Sequence, residues 1–123
     1  MARITGFGGI FFKAKDPKAL AAWYRDTLGI AIESYGAALL RYDAPGHPEF
    51  VVWNPFAEGT DYFAPSTREF MVNFAVDDLD AMVAALEAKG VKVLGRQDES
   101  YGRFAWIQDP EGTKIELWQA AAE

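Results

Sequence analysis

The hydrophobic and polar positions of this chain predict one strand, one helix and three further strands, and the order then repeats. In the first half, Ile10, Phe12 and Ala14 alternate with their neighbours, which predicts a strand over 9–14. Asp16 and Pro17 predict a helix start, because Asp caps free amides and Pro suits the first helical position. Apolar residues then recur at helical spacing as far as a closing Gly29. Three more strands are predicted at 30–34, 37–42 and 49–54.

The second half repeats this order of elements. Residues 70–76 alternate as a strand, Asp77 and Asp78 open a second helix, and Gly90 closes it. Three strands are predicted at 91–96, 101–108 and 113–119, with a turn at 109–112 before the last one.

The repeat predicts the fold class. We expect an α+β fold in which two tandem βαβββ modules form a curved mixed sheet around a central cleft, with the helices outside. Module one covers about residues 5–56, a turn-rich linker about 57–68, and module two about 69–120. Neither half has enough apolar residues to stand alone, so we expect a single domain over 1–123.

Composition narrows the classes of function. The chain has 123 residues, half of them hydrophobic, and includes nine Phe, five Tyr and four Trp. Its formal charge of −6 argues against nucleic acid and anionic membranes as partners, because binding phosphates requires clustered Lys and Arg. The absence of cysteine excludes disulfides, thiol nucleophiles and thiolate metal sites. No apolar stretch approaches the roughly 20 residues that span a bilayer, and no signal peptide is evident, so we expect a cytoplasmic protein.

Several stretches together resemble the vicinal oxygen chelate superfamily, which includes glyoxalase I, bleomycin resistance proteins and extradiol dioxygenases. The matching stretches are 10–17 with 23–29, 74–80 with 89–91, and 109–118. The resemblance covers nearly the whole chain and implies the paired βαβββ modules and, commonly, a homodimer. It implies either a metal-dependent lyase or dioxygenase, or a binding protein that sequesters a small molecule.

The resemblance also implies where a metal ion would bind. Enzymes of the superfamily take their ligands from the first and fourth strands of each module, which here correspond to Gly9, Val51, Met71 and Glu116. Only Glu116 is a ligand for a hard cation, whereas such a site needs about three protein ligands. The single histidine, His47, lies in a predicted turn away from the sheet faces. We therefore predict no metal and no cofactor.

Glu116 is the candidate catalytic residue. In a cleft without metal, a carboxylate must be hydrogen-bonded, paired with a cation or protonated. It would serve as a general base or as an anchor for a ligand's amine. The alternative is a remnant of an ancestral metal site, satisfied by a neighbouring Tyr, Asn73 or Arg.

The candidate ligand-binding residues are those whose position in a predicted strand points them toward the cleft, together with one arginine. They are Phe11, Lys13, Trp53, Met71, Asn73, Arg103, Phe104, Trp106 and Trp118. Arg103 fits either a clamp for a carboxylate or phosphate or a surface pair with Asp98 or Glu99. The aromatic residues fit either a pocket lining or a completely filled cleft. The linker's Asp61-Tyr62-Phe63 fits either a flap over the cleft or a dimer contact.

Two functions are compatible with these residues. The first is a homodimeric protein that binds a small aromatic or apolar, and in some cases cationic, organic ligand without metal. The second is an enzyme, either metal-dependent or using Glu116 as a base with Arg103 or Lys13 stabilising an oxyanion.

Overall fold

A computed structural model describes residues 2–4 and 7–121 of the chain. Its helices and strands follow the order α1 (Pro17–Leu28), β1 (Val72–Ala75), α2 (Leu79–Ala88), β2 (Gly95–Glu99), β3 (Gly102–Gln108) and β4 (Lys114–Ala120). The predicted α+β class is therefore confirmed. Neither helix in these two described stretches is long and apolar enough to cross a membrane.

The four strands form one open mixed sheet in the order β1-β4-β3-β2. The β1 strand runs parallel to β4, while β3 runs antiparallel to both β4 and β2. Together with α2, these strands make one βαβββ module, at the position where module two is predicted.

Both helices begin and end where their local sequence predicts. Asp16 caps α1 by accepting a 3.1 Å hydrogen bond from the amide of Ala19, and Asp78 caps α2 through the amide of Ala81 at 3.0 Å. Gly29 follows α1 with a φ of 73°, a left-handed conformation that Gly adopts without steric cost. These signals are local, so they hold regardless of what surrounds the helices.

The hydrophobic core lies between α2 and one face of the sheet. Alternate residues of β3 and β4 point toward the apolar side of α2, and all of these side chains are at most 5% exposed. Burying each large apolar side chain contributes about 1.5–3 kcal/mol. The core residues are Leu79, Val83, Leu86, Ala105, Ile107, Ile115 and Leu117. Neither of the two described helices lies on the other face of the sheet, and the candidate site lies there.

The strands that the sequence predicts in the first half of the chain do not form in the structure. Residues 9–14, 30–34, 37–42 and 49–54 are all described, and none of them forms a strand. A strand requires a partner for its backbone groups, and the sheet has four strands, all from the second half. Large apolar side chains in these segments are consequently exposed, including Phe11 at 94% and Trp53 at 75%. The tandem modules, their boundaries and the cleft between them remain predictions.

The turn between β3 and β4 joins the two halves. Asp109 is 5% exposed, and its Oδ1 accepts hydrogen bonds from the amides of Glu111 at 2.8 Å and Thr113 at 3.0 Å. Its Oδ2 accepts a 2.6 Å hydrogen bond from the hydroxyl of Tyr24 on α1. The carboxylate of Glu111 accepts hydrogen bonds from the backbone amides of Lys15 at 2.6 Å and of residue 16 at 2.9 Å, just before α1. These contacts attach α1 to the end of the sheet.

Candidate functional site

A row of polar and aromatic side chains crosses the open face of the sheet. Because side chains alternate along a strand, residues directly opposite one another on neighbouring strands lie on the same face. Asn73 on β1 is opposite Glu116 on β4, and Glu116 is opposite Trp106 on β3. The next row toward the end of β4 contains Ala75, Trp118 and Phe104. The helix face is filled by the core, so these two rows are the exposed side of the sheet.

The Glu116 carboxylate accepts hydrogen bonds from three uncharged donors. Asn73 Nδ2 donates to its Oε1 at 2.7 Å, and Trp106 Nε1 donates to its Oε2 at 2.8 Å. The hydroxyl of Tyr62 donates to the same Oε2 at 2.5 Å. Both oxygens of the carboxylate therefore have hydrogen-bond partners, and none of these donors carries a positive charge that would neutralise it.

Tyr62 comes from the linker and lies over the middle of the row. Its ring packs edge-on against Trp106, with centroids 6.2 Å apart and planes at 86°, and stacks on Phe56 at 5.3 Å. Burial, followed by the hydrogen bond to Glu116, raises the pKa of the Tyr62 hydroxyl above its ordinary value. The hydroxyl therefore stays protonated and acts as a donor.

Lys114, two residues before Glu116 on the same strand face, is the nearby cation. Its Nζ donates to the backbone carbonyl oxygen of Tyr62 at 2.6 Å. It also lies 5.1 Å from the centroid of the Tyr62 ring and 5.5 Å from that of Trp106, within cation–π range. Partial burial lowers the pKa of the Lys114 ammonium group.

The second row forms an aromatic patch around Trp118. Phe104 and Phe50 contact it with ring centroids 6.4 and 6.1 Å away. The indole lies directly over Gly102, where an added Cβ would be 2.9 Å from Trp118 Cδ1. The Trp118 Nε1 atom is buried and has no hydrogen-bond partner in residues 2–4 and 7–121.

The structure brings together the candidate residues of the second half, with one exception. Asn73, Phe104, Trp106 and Trp118 share the face of Glu116, and Met71 directly precedes β1 with the parity of Asn73. From the sequence, Tyr62 was named only within the linker segment that fits a flap or a dimer contact, and Lys114 was not named. Lys114 has the strand parity of Glu116, whereas no periodicity connects Tyr62 to it.

Arg103 is the exception. It lies on the helix side of β3, where its guanidinium bonds Asp80 at 3.0 and 3.2 Å and Asp98 at 3.3 Å. Alternation along β3 requires this, because its neighbour Phe104 faces the open side. The surface pairing that the sequence allowed is the arrangement in the structure.

The candidates of the first half are not joined to this site by the described contacts. Phe11 and Trp53 are largely exposed, and Lys13 lies in the segment where the predicted first strand is not formed. His47 stays within its turn, with Nδ1 2.6 Å from the carbonyl oxygen of Pro48.

The residues around Glu116 do not fit a divalent metal ion. Its oxygens accept hydrogen bonds from an amide N–H, an indole N–H and a phenol O–H. None of these three groups is a charged ligand for a hard cation. Across residues 2–4 and 7–121, no three His, Cys, Asp or Glu side chains are grouped so as to hold a metal ion.

Comparison with known families decides the classification. A family model described as "Glyoxalase-like domain" matches residues 9–118. The chain belongs to this family. The glyoxalase-like domain is part of the vicinal oxygen chelate superfamily, so the resemblance read from the sequence motifs is confirmed. A search of curated proteins gives no significant match.

Two solved structures that are similar to this glyoxalase-like domain over most of its length support the fold. TnmS3, an antibiotic binding protein from Streptomyces sp. CB03234, is 24% identical over 87% of this chain and 88% of its own, with a TM-score of 0.54. A glyoxalase/bleomycin resistance protein/dioxygenase superfamily member from Sphaerobacter thermophilus is 19% identical over 86% and 90%, with a TM-score of 0.52. A glyoxalase/bleomycin resistance protein from the same Streptomyces is 40% identical, but the match spans only 39% of this chain and 42% of that one, with a TM-score of 0.37.

Proposed function

We propose that this glyoxalase-like domain binds a small aromatic or apolar organic molecule on the open face of its sheet, with Glu116 as the polar anchor and without a metal ion. The observation that carries this proposal is the charged carboxylate held among aromatic rings by three uncharged donors. Placing a carboxylate among apolar groups is costly unless hydrogen-bond donors satisfy it, and a ligand's O–H, N–H or ammonium group could serve as one of these donors. TnmS3, which shares the fold, is described as an antibiotic binding protein, which supports a small-molecule ligand for this fold.

Anchoring suits Glu116 better than proton abstraction. A metal-free enzyme would also need a cation beside Glu116 to stabilise an oxyanion, and the sequence offers Arg103 or Lys13 for this. Arg103 instead pairs with Asp80 and Asp98 on the helix side of β3, and the described contacts do not join Lys13 to the site. We therefore favour a binding protein over an enzyme that uses Glu116 as a base.

We further propose that the protein acts as a homodimer. Many large apolar side chains of the first half are exposed, which is unusual for a monomer of this size. The repeat predicts that these segments are strands, and the sheet of a second copy offers them the free edges of β1 and β2. Light scattering coupled to gel filtration tests this, and a single monomeric mass at micromolar concentration would contradict it.

The binding proposal is tested by quenching of tryptophan fluorescence, because Trp106 and Trp118 lie on the proposed surface. The probes are 4-methylphenol, toluene and benzyltrimethylammonium, which offer a donor, no polar group and a cation on the same ring. We expect saturable quenching by at least one probe. The absence of saturable quenching by all three would refute the proposal.

The Glu116→Gln variant tests the anchor. Glutamine keeps the shape and an acceptor oxygen but removes the charge, so a ligand that donates to this position should lose about 1 kcal/mol, or about fivefold in affinity. Glu87→Gln is the matched control, because it removes the same charge from the exposed surface of α2. Equal affinities for wild type and Glu116→Gln would show that Glu116 is not the anchor. Elemental analysis of protein purified without chelators completes the test, since near-stoichiometric Zn, Ni, Mn or Fe would overturn the metal-free proposal.

A further inference from the structure

Tyr62 makes the contacts that a small aromatic ligand would make on this face. Its hydroxyl donates to Glu116, its ring edge packs on Trp106, and its ring lies near the Lys114 ammonium group. The residue belongs to no strand or helix and reaches the sheet from a linker, 54 positions before Glu116 in sequence. A phenol ring is therefore already bound at the proposed anchor.

We propose that Tyr62 is a tethered stand-in for the ligand, and that the ligand is a neutral hydroxyaromatic compound that displaces it. This inference rests on the proposed function, because it names the chemical class that the open face selects. The ligand ring takes the place of the Tyr62 ring against Trp106, and its hydroxyl donates to Glu116.

Lys114 is the reason to choose a neutral ring over a cationic one. Its ammonium group already lies 5.5 Å from the Trp106 ring centroid, so a second cation there would meet like charge. A phenol meets no such repulsion and gains the cation–π contact that Tyr62 now makes. The hydroxyl is required because toluene would leave Oε2 of Glu116 with one donor fewer than it has now.

Tyr62 is held in a way that permits displacement. It is 37% exposed, and the backbone–backbone hydrogen bonds of the linker, among the described residues, are isolated turns such as Ala64 N to Asp61 O at 3.0 Å. Its carbonyl oxygen accepts the 2.6 Å hydrogen bond from Lys114 Nζ, which is among the contacts that displacement breaks. The end of the linker is fixed separately, by the hydroxyl of Ser66 on the carbonyl of Gly112. Moving Tyr62 therefore breaks its own contacts while the linker stays attached to the sheet.

A tethered side chain competes with a free ligand at millimolar effective concentration, so removing it should strengthen binding of the same chemical group. We expect Tyr62→Ala to bind 4-methylphenol about tenfold more tightly than wild type. Tyr62→Phe should bind it with an affinity between those two. Toluene should gain less than 4-methylphenol, and benzyltrimethylammonium should remain the weakest probe. Tyr35→Ala is the control. Tyr35 is 69% exposed, so its substitution should leave the affinity for each probe unchanged.

The outcomes separate this inference from the binding proposal. If no probe binds wild type or Tyr62→Ala, with circular dichroism showing both folded, the proposed function itself fails. If probes bind both proteins equally, or Tyr62→Ala more weakly, the face binds ligands but Tyr62 is part of its wall and not a stand-in. If benzyltrimethylammonium binds more tightly than 4-methylphenol, the neutral hydroxyaromatic class is wrong.

Discussion

Replacing Tyr24 with Phe should destabilise the protein by removing one oxygen atom. The hydroxyl of Tyr24 donates at 2.6 Å to Oδ2 of Asp109, whose side chain is 5% exposed. The two backbone donors to this carboxylate both reach Oδ1, so Oδ2 would lose its observed donor in a buried position. Hydrogen bonds to charged groups contribute about 1.5–3 kcal/mol, so we expect the free energy of unfolding to fall by about 2 kcal/mol.

Tyr62→Phe is the matched control for this prediction. It also removes a tyrosine hydroxyl that donates to a carboxylate, here Oε2 of Glu116 at 2.5 Å. Tyr62 is 37% exposed, and Oε2 keeps its hydrogen bond from Trp106 at 2.8 Å. Water and the indole replace much of what is lost, so we expect a decrease below about 1 kcal/mol.

Urea unfolding followed by far-ultraviolet circular dichroism measures both variants. The two unfolding midpoints should differ while the slopes stay equal, since neither change alters the surface exposed on unfolding. A loss in Tyr24→Phe no larger than that in Tyr62→Phe would refute the reasoning, because the two acceptors differ in burial and in whether a second donor remains.

Two further predictions concern glycine and tyrosine. Gly102→Ala should displace the Trp118 indole and cost about 1–3 kcal/mol in thermal unfolding, because its Cβ would lie 2.9 Å from Trp118 Cδ1. Gly95→Ala, whose Cβ would meet the Trp106 ring at an ordinary 3.7 Å, should change the melting temperature little, and equal effects would contradict this. Burial, with the adjoining carboxylates, raises the pKa of the hydroxyls of both Tyr24 and Tyr62. Their neutral forms therefore stabilise the fold fully below about pH 10, the pKa of tyrosine in the unfolded chain, and this stabilisation is lost as the pH rises further. Tyrosinate absorbance should therefore show two of the five tyrosines ionising after the others, and one uniform transition in the folded protein would exclude it.

Most of the second half of the fold was predictable from sequence because its signals are local or strictly periodic; the exception is β2, which was predicted over 91–96 and lies at Gly95–Glu99. Asp78 caps α2 from three residues away, and alternation along β4 separates Glu116 from the core residue Leu117. The same alternation shows that Arg103 and Phe104, neighbours on one strand, do not share a face. Strict use of this alternation would have excluded Arg103 from the candidate ligand-binding residues.

The remaining features depend on contacts that no local pattern encodes. The strand predicted at 9–14 has the right alternation, but a strand forms only against a partner, and periodicity does not identify one. The hydrogen bond from Tyr62 to Glu116 joins residues 54 positions apart through an irregular linker. That the carboxylate had to be satisfied, with Asn73 and a tyrosine among the candidate donors, was predictable from the sequence, whereas the choice of Tyr62 and the third donor, Trp106, required the structure.

The place of β4 in the sheet has a consequence for synthesis in the cell. It lies between β1 and β3, both of which precede it in the chain. While the ribosome is still making β4, the β1 strand has no neighbour to pair with, and the apolar side of α2 lacks Ile115 and Leu117 beneath it. Parallel pairing across about 40 residues is also slow to form. A nascent chain thus carries an unpaired strand and an uncovered helix until translation has passed β4, and during that interval chaperones have a physical reason to hold it.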